Sequence, residues 1–298
     1  VLYGGANPGG IINLVSKRPI DEPFGYFEAG IYNWGNGYAA LDFGDAIGTS
    51  GKWSYRVTGR VSGGDQFTDV SEDFRGVIMP QLTYRPSDGT RLTLHGQYAA
   101  LDQIHIGGGF LPYVGTVVPA SFGRIDREGF FGEPAIDNQE RQQRMIGYEF
   151  EHRLAPGLAI VSNARFGNMT GSQIGPYGYG YFDPSINTGP PDFGYPGNFM
   201  YPVTPDNQMF RIGFEESTEV NTFLADNRVE GRFRTGGLEH RALVGVDYKY
   251  FNIDHVQASG GGTPISVTDP VYGAPQGPAG VYIDQDLTQH QVGVYTQD

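Results

Sequence analysis

Residues 141–168 read RQQRMIGYEFEHRLAPGLAIVSNARFGN, and this stretch decides the fold. In its first half, from Ile146 to Leu154, apolar side chains occupy even-numbered positions and charged side chains occupy odd-numbered positions. The apolar residues are Ile146, Tyr148, Phe150 and Leu154, and the charged ones on the other parity are Glu149, Glu151 and Arg153. Residues 155–157 (APG) predict a tight turn, and the alternation resumes from Leu158 to Phe166. A period of two predicts two strands joined by a hairpin, each with one apolar and one polar face.

The same alternation recurs along the chain. It is clear at residues 53–62, 91–100, 223–234 and 240–250, and weaker at residues 24–33, 38–45, 74–85 and 288–298. Together with the hairpin this predicts about ten strands. Each is long enough for the ~9–11 residues with which a tilted strand crosses a bilayer, whereas no apolar run nears the ~18 residues of a transmembrane helix.

The connections fall into two length classes. Residues 86–90, 155–157 and 235–237 predict tight turns, and between them lie long segments at 102–140, 168–218 and 255–287. Short turns on one rim and long loops on the other are typical of outer-membrane β-barrels. We therefore predict an all-β fold, a transmembrane antiparallel β-barrel with its apolar parity facing lipid and its polar parity facing the lumen.

Composition and charge agree with a polar lumen. Apolar residues make up 39% of the chain, which is low for a single dry core. The formal net charge is −13, and the three long segments carry −11 of it, which argues against a nucleic-acid partner. The chain has no cysteine, no HExxH or GxSxG motif and no catalytic pair, so we predict no enzyme activity, no catalytic residue, no metal site and no cofactor.

Residues 1–19, VLYGGANPGGIINLVSKRP, have a different pattern from the alternating strands. Residues 7–10 (NPGG) predict a turn. Residues 11–15 are apolar on both parities except for Asn13, which predicts a short strand buried on both faces, inside another structure. Lys17, Arg18 and Pro19 then lead into the first alternating strand.

These residues closely resemble the end of the plug domain in TonB-dependent siderophore receptors, the ferrichrome type in particular. The shared run is LYG-x-x-NPGG-x-x-N-x-VSKRP, and further stretches match in order: DFRGVIMPQLTYRPSDGTRLTLHGQY at 73–98, GYEFEHRL at 147–154 and LVGVDY at 243–248. The resemblance implies a 22-stranded barrel. Residues 1–19 would be the C-terminal end of the plug domain, and residues 20–298 the N-terminal part of the barrel with its first ten strands.

The resemblance also implies a function. The protein would reside in the bacterial outer membrane, in contact with its lipid, as a monomer that imports a ferric siderophore, with hydroxamates favoured. TonB would energise transport through an N-terminal segment outside this chain. The ferric siderophore would be transported cargo rather than a cofactor.

Aromatic residues are the predicted ligand contacts. In the family an aromatic residue before Leu-Pro faces the chelate, which here implies Phe110, and a tyrosine of a YGYG segment also lines the site, which implies Tyr177 or Tyr179. Tyr113 and Tyr181 lie beside them in sequence and complete the predicted substrate-binding set. Ten aromatic residues occur between 168 and 218, and their alternative role is to pack that segment on itself or to form an aromatic belt.

Three other functions stay open at this point. A passive porin would share the barrel but would have no plug before it. A secreted all-β enzyme or carbohydrate-binding sandwich would not keep arginine and glutamate on one face throughout. A TonB-dependent importer of haem, cobalamin or a sugar would share everything but the cargo. The charged side chains predicted in the lumen would either hold the plug or pair across neighbouring strands: Glu149, Glu151, Asp226, Arg228, Glu230 and Arg232.

Overall fold

The computed structural model describes residues 15–104, 109–185, 197–198 and 201–298 apart from residue 278, and of residues 197–198 it describes the backbone. These residues form one antiparallel sheet. Its strands are β1 Phe24–Ile31, β2 Gly37–Ile47, β3 Trp53–Asp65, β4 Glu72–Ser87, β5 Thr90–Gln103, β6 Asn138–Ala155, β7 Leu158–Phe182, β8 Gly197–Asn198, β9 Gln208–Thr235, β10 Leu238–Ser266 and β11 Gly280–Gln297.

Each long strand pairs with its neighbour in sequence, in the order β1 to β7, then β9, β10 and β11, and the short β8 pairs with β7. The ten predicted strands are therefore confirmed. A single helical turn, α1 Tyr113–Thr116, and a 3-10 turn at Asn33–Gly35 interrupt the connections. In the described part of the chain, no helix has the length and apolar character needed to cross a membrane.

The predicted segregation of connections is confirmed. One rim, the inner rim, carries residues 48–52, 88–89, 156–157 and 236–237. The opposite rim, the outer rim, carries residues 32–36, 66–71, 104–137, 183–207 and 267–279. All the long connections therefore lie at one end of the sheet.

Two of the predicted long segments are wrong in their bounds. β7 continues to Phe182, β9 begins at Gln208 and β10 continues to Ser266, so the connections shrink to 183–207 and 267–279. β9 and β10 have 28 and 29 residues, about three times what a tilted membrane strand needs. The alternation lapses in these extensions because neither face meets lipid there, yet the ladder of backbone hydrogen bonds continues.

Strand register confirms the predicted polar face, which we call the inner face. Arg91 of β5 lies opposite Glu151 of β6, and their side chains form an ion pair of 2.8 Å. Arg228 of β9 contacts the carboxylates of Asp226 and Glu230 two residues away on the same strand, at 2.9 and 2.7 Å. This face bounds a cavity of about 740 Å³. Pairing among neighbours thus accounts for part of the charge on the inner face.

The opposite, outer face carries an apolar belt with a defined upper edge. Ile146, Phe166, Phe223 and Tyr250 are register partners across β6, β7, β9 and β10, and they form the last apolar row. The next row toward the outer rim on the same face is polar throughout: Arg144, Asn168, Asn221 and Asn252. Its side chains bond to each other, with Asn168 Nδ2 donating to Asn221 Oδ1 at 2.9 Å. The change from apolar to polar marks the outer boundary of the lipid-facing surface.

The residues before β1 cross the inner face. The Lys17 ammonium lies 2.9 Å from Asp42 and the Arg18 guanidinium 2.8 Å from Glu149. Gln81 Nε2 donates to the Lys17 carbonyl at 2.7 Å. Residues 17–18 therefore bridge β2, β4 and β6 on the polar side of the sheet, and the Glu149 carboxylate takes part in this contact.

The predicted buried strand at residues 11–15 lies mostly outside the described residues. Val15 is described; it belongs to no strand, and its side chain is 69% exposed. The division into a plug end at 1–19 and a barrel at 20–298 therefore stays a prediction. The contacts of Lys17 and Arg18 are compatible with a segment that enters the barrel from its lumen.

Candidate functional site

Phe110 docks on the free edge of β7. β6 ends its pairing with β7 at Asn138, opposite Ile174, and the short β8 pairs with Tyr181 and Phe182, so none of the described strands pairs with residues 175–180 of β7 on this edge. Phe110 fills the place, because its N–H donates to the Gly178 carbonyl at 2.7 Å and its carbonyl accepts the Gly180 N–H at 3.0 Å. A predicted loop residue is thus fixed by the same kind of bonds that hold a strand.

The backbone contact brings three predicted aromatic residues together. The Phe110 ring centroid lies 6.5 Å from that of Tyr177 and 5.3 Å from that of Tyr179, both in edge-to-face geometry. Phe110 is 61% exposed and Tyr113, at the start of α1, is 54% exposed. Edge-to-face rings of this kind stabilise each other, and Phe110 and Tyr113 keep much of their surface exposed.

The glycine between the two tyrosines packs closely against Met209. A Cβ on Gly178 would lie 2.6 Å from the Met209 sulfur, so the Met209 side chain would have to move to admit it. Tyr177 keeps the parity of Asn163 and Arg165, which line the inner-face cavity. The alternation of tyrosine and glycine therefore points bulky rings toward the inner face while the strand packs closely on β9.

These rings lie well outside the apolar belt. Eleven residues of β7 separate Phe166 in the last apolar row from Tyr177. At ~3.3 Å per residue this is about 36 Å along the strand. The aromatic cluster of Phe110, Tyr177 and Tyr179 therefore stands above the membrane surface, on the side of the long connections.

Tyr181 has a different environment from the other four predicted contacts. Its side chain is completely buried, and its hydroxyl donates to the Val114 carbonyl at 2.8 Å. Burial raises the pKa of the Tyr181 phenol to about 12. It belongs to an apolar core built from the outer connections and strand ends, whose buried members are Ile125, Phe131, Tyr181, Met209, Ile265 and Val267. In this conformation Tyr181 supports the site and offers no surface to a ligand.

A buried ion pair lies beside this core, and the sequence analysis missed it. Arg211 of β9 is completely buried, and its Nη2 lies 2.8 Å from Glu133 Oε1 in the connection 104–137. Burial lowers the pKa of Arg211, and the hydrogen bond and charge of Glu133 oppose that shift. The available signal was a single charge inside an apolar run, MFRIGF at 209–214 and FFGEP at 130–134. Such lone charges need a partner when buried.

The other predicted aromatic residues are divided between described and undescribed parts of the chain. Phe193, Tyr195 and Phe199 lie outside the described residues. Phe210 is buried and Tyr201 is 62% exposed. Across the residues that the structure describes, no group of three or more His, Asp or Glu side chains converges in a way that could hold a metal ion.

Fold and site together define a class of protein. A sheet with an apolar outer belt, a charged inner face, short turns at one rim and long connections at the other is the wall of an outer-membrane β-barrel. A family profile described as "TonB dependent receptor-like, beta-barrel" matches residues 80–298. The chain belongs to this family of outer-membrane receptors and transporters and forms part of its barrel.

Curated relatives agree with this assignment. The chain is 31% identical over its whole length to the ferrioxamine B receptor of Salmonella typhimurium strain SL1344, and it covers 39% of that protein. It is 32% identical, over 83% of its length, to the ferrichrome outer membrane transporter/phage receptor of Escherichia coli K12, covering 32% of it. The chain thus spans about two fifths or less of the length of these relatives.

A solved structure shows the same fold. The pyoverdine outer membrane receptor FpvA from Pseudomonas aeruginosa PAO1, bound to pyoverdine, matches 94% of this chain with a TM-score of 0.71 at 20% identity, and the match covers 38% of that receptor. At this identity the likeness shows the fold alone. The family match and the curated relatives, in turn, confirm the predicted recognition of a siderophore-receptor barrel and its outer-membrane location.

Proposed function

We propose that the complete protein imports a ferric siderophore, with hydroxamates favoured, by TonB-coupled transport across the outer membrane. The observation that carries the proposal is the aromatic cluster of exposed Phe110 with half-buried Tyr177 and Tyr179, set about 36 Å along β7 beyond the apolar belt. The names of the relatives, receptors for ferrioxamine B and ferrichrome, support the choice of hydroxamates.

The proposed contacts are Phe110, Tyr113, Tyr177 and Tyr179. Their rings offer apolar faces with phenol groups at the tips, which suits a chelate whose iron is wrapped in an organic shell. Selection and transport of such a cargo need positioned groups and a gated path, and no bond is made or broken in the protein. Residues 1–19 would end the plug that provides the gate.

The cargo is tested by a panel of ferric chelates. Bacteria that lack their own siderophore receptors would produce the complete receptor, and growth on iron bound to ferrioxamine B, ferrichrome, a catecholate, haem or no chelator would be compared. We expect growth on at least one ferric hydroxamate. Growth on haem or on the catecholate alone would reject hydroxamates as the cargo. It would still support the proposal that the protein is an importer.

A further inference from the structure

We propose that Glu133 and Arg211 are positioning residues for the aromatic site: their buried ion pair fixes the connection 104–137 so that Phe110 stays over Tyr177 and Tyr179. The inference rests on the proposed function for the identity of the ligand. The clamp itself, the ion pair with the connections it joins, can be tested without any ligand.

Arg211 joins three parts of the chain. Its Nη2 contacts Glu133 Oε1 at 2.8 Å, its Nη1 donates to the Gly132 carbonyl at 2.8 Å, and its Nε donates to the Thr263 carbonyl of β10 at 2.5 Å. A fully buried guanidinium with all three nitrogens bonded is held in one orientation. The segment at 132–133 is therefore pinned to the outer ends of β9 and β10.

Glu133 extends the clamp to a second connection. Its Oε2 accepts the Gly273 N–H at 2.8 Å, and its Oε1 accepts a bond from Gln276 Nε2 at 3.3 Å. Gln276 returns to β10, because its Oε1 accepts the Thr263 N–H at 3.0 Å. The Glu133 carboxylate, which belongs to the connection 104–137, thus holds the connection 267–279 against it through these hydrogen bonds.

The clamp reaches Phe110 through the β7–β9 ladder. Arg211 lies directly opposite Gly178 in register, and the Gly178 carbonyl is the acceptor for the Phe110 N–H. Tyr181, three residues further, holds the Val114 carbonyl in the same connection. The connection 104–137 is therefore anchored in its first part at Phe110 and Val114, and near its end at Gly132 and Glu133, on a few residues of β7 and β9. Without the anchor at Glu133, the rest of the connection 104–137 would be free to move. That motion would displace Phe110 from Tyr179.

A double-mutant cycle distinguishes positioning from simple structural support. Glu133→Gln and Phe110→Ala would be made singly and together in the complete receptor, and ferric ferrioxamine B would be the titrated probe. We expect Glu133→Gln to weaken binding on the order of 10-fold beside an intact Phe110. In the Phe110→Ala background the same change should alter the Kd less than 2-fold, because the group that it positions is gone. Equal losses in both backgrounds would overturn the proposal.

The matched control is Glu128→Gln. It removes the same charge from the same connection, but Glu128 is exposed. It should leave the Kd unchanged. If Glu133→Gln prevents assembly, the double-mutant cycle would be made with Gln276→Ala in its place. This variant removes the hydrogen bonds of Gln276 to Glu133 and Thr263 and leaves the Arg211–Glu133 pair intact. A smaller loss, about 3-fold and again dependent on Phe110, is then expected.

Limited proteolysis tests the clamp without a ligand. Arg124 and Arg127 are exposed trypsin sites within the clamped connection. We expect cleavage there to be several-fold faster in Glu133→Gln, or in Gln276→Ala, than in the wild type and in Glu128→Gln. Equal cleavage rates would overturn the clamp. If wild-type receptor does not bind ferrioxamine B, the proposed cargo fails, and faster cleavage in the variants would still establish the clamp.

Discussion

At the scale of single residues, Phe110 and Tyr179 are joined by a backbone bridge as well as by their rings. Alanine at Phe110, Tyr177 or Tyr179 should weaken ferric hydroxamate binding by roughly 1–3 kcal/mol, about 5- to 150-fold, because an aromatic contact surface is lost from a site that is already formed. Folding should be unaffected, since these positions lie outside the membrane. Titration of the complete receptor measures the Kd, and unchanged values in all three variants would reject the site.

Face assignment is tested by one residue on each side of β10. Val244 lies six residues from Leu238, where β10 begins, and six from Tyr250 in the last apolar row; it is 54% exposed on the outer face, whereas Asp247 faces the inner cavity. Val244→Arg should destabilise the barrel by about 2–4 kcal/mol, because an arginine near the bilayer midplane loses its hydration. Asp247→Arg should cost less. Reversible unfolding of the complete receptor in lipid compares the two, and equal costs or the reverse order would contradict the faces.

The residue types of the site could be predicted, but not all of their roles. Phe110, Tyr177 and Tyr179 were placed in one site by resemblance, and the structure brings them together. Tyr181 lies beside them in sequence, yet an irregularity in pairing between Gly178 and Tyr181 separates it from the other rings. Arg211 and Glu133 are 78 residues apart in sequence, and no local pattern indicates that two such charges meet.

At the scale of strands, the alternation predicts where lipid begins and ends. The ten strands were predicted because the membrane imposes different environments on their two faces. The sequence predicts the extensions of β7, β9 and β10 as parts of long connections because the alternation lapses there, and in β7 Gly175, Pro176, Gly178 and Gly180 also have low strand preference. Pairing with β9 along the whole of β7 outweighs these local preferences.

The membrane boundary can be measured on β7 itself. Phe166 lies in the last apolar row of the outer face, and Thr170 lies four residues beyond it on the same face. Tryptophan at 166 should be strongly quenched by lipids brominated on their tails, and tryptophan at 170 only weakly, because the boundary falls between them. All native tryptophans of the complete receptor, Trp34 and Trp53 among them, would be replaced first. Equal quenching would show that the boundary is misplaced.

At the scale of the whole molecule, the described sheet has two open edges. β1 pairs only with β2 and β11 only with β10 among the described strands. In lipid each unpaired backbone group costs several kcal/mol, so an open sheet does not span a membrane. The 298-residue chain expressed alone should therefore aggregate or be degraded. Heat-modifiable migration on a gel together with micromolar siderophore binding by this chain would contradict that expectation.

The assignment as an energised siderophore importer is tested most directly by iron uptake. Cells that produce the complete receptor would be given radiolabelled ferric ferrioxamine B, in a strain with TonB and in one without it. We expect uptake that saturates with concentration, disappears without TonB and falls in the Phe110→Ala variant at subsaturating chelate. Uptake that persists without TonB and rises linearly with concentration would indicate a passive porin and contradict the proposed function.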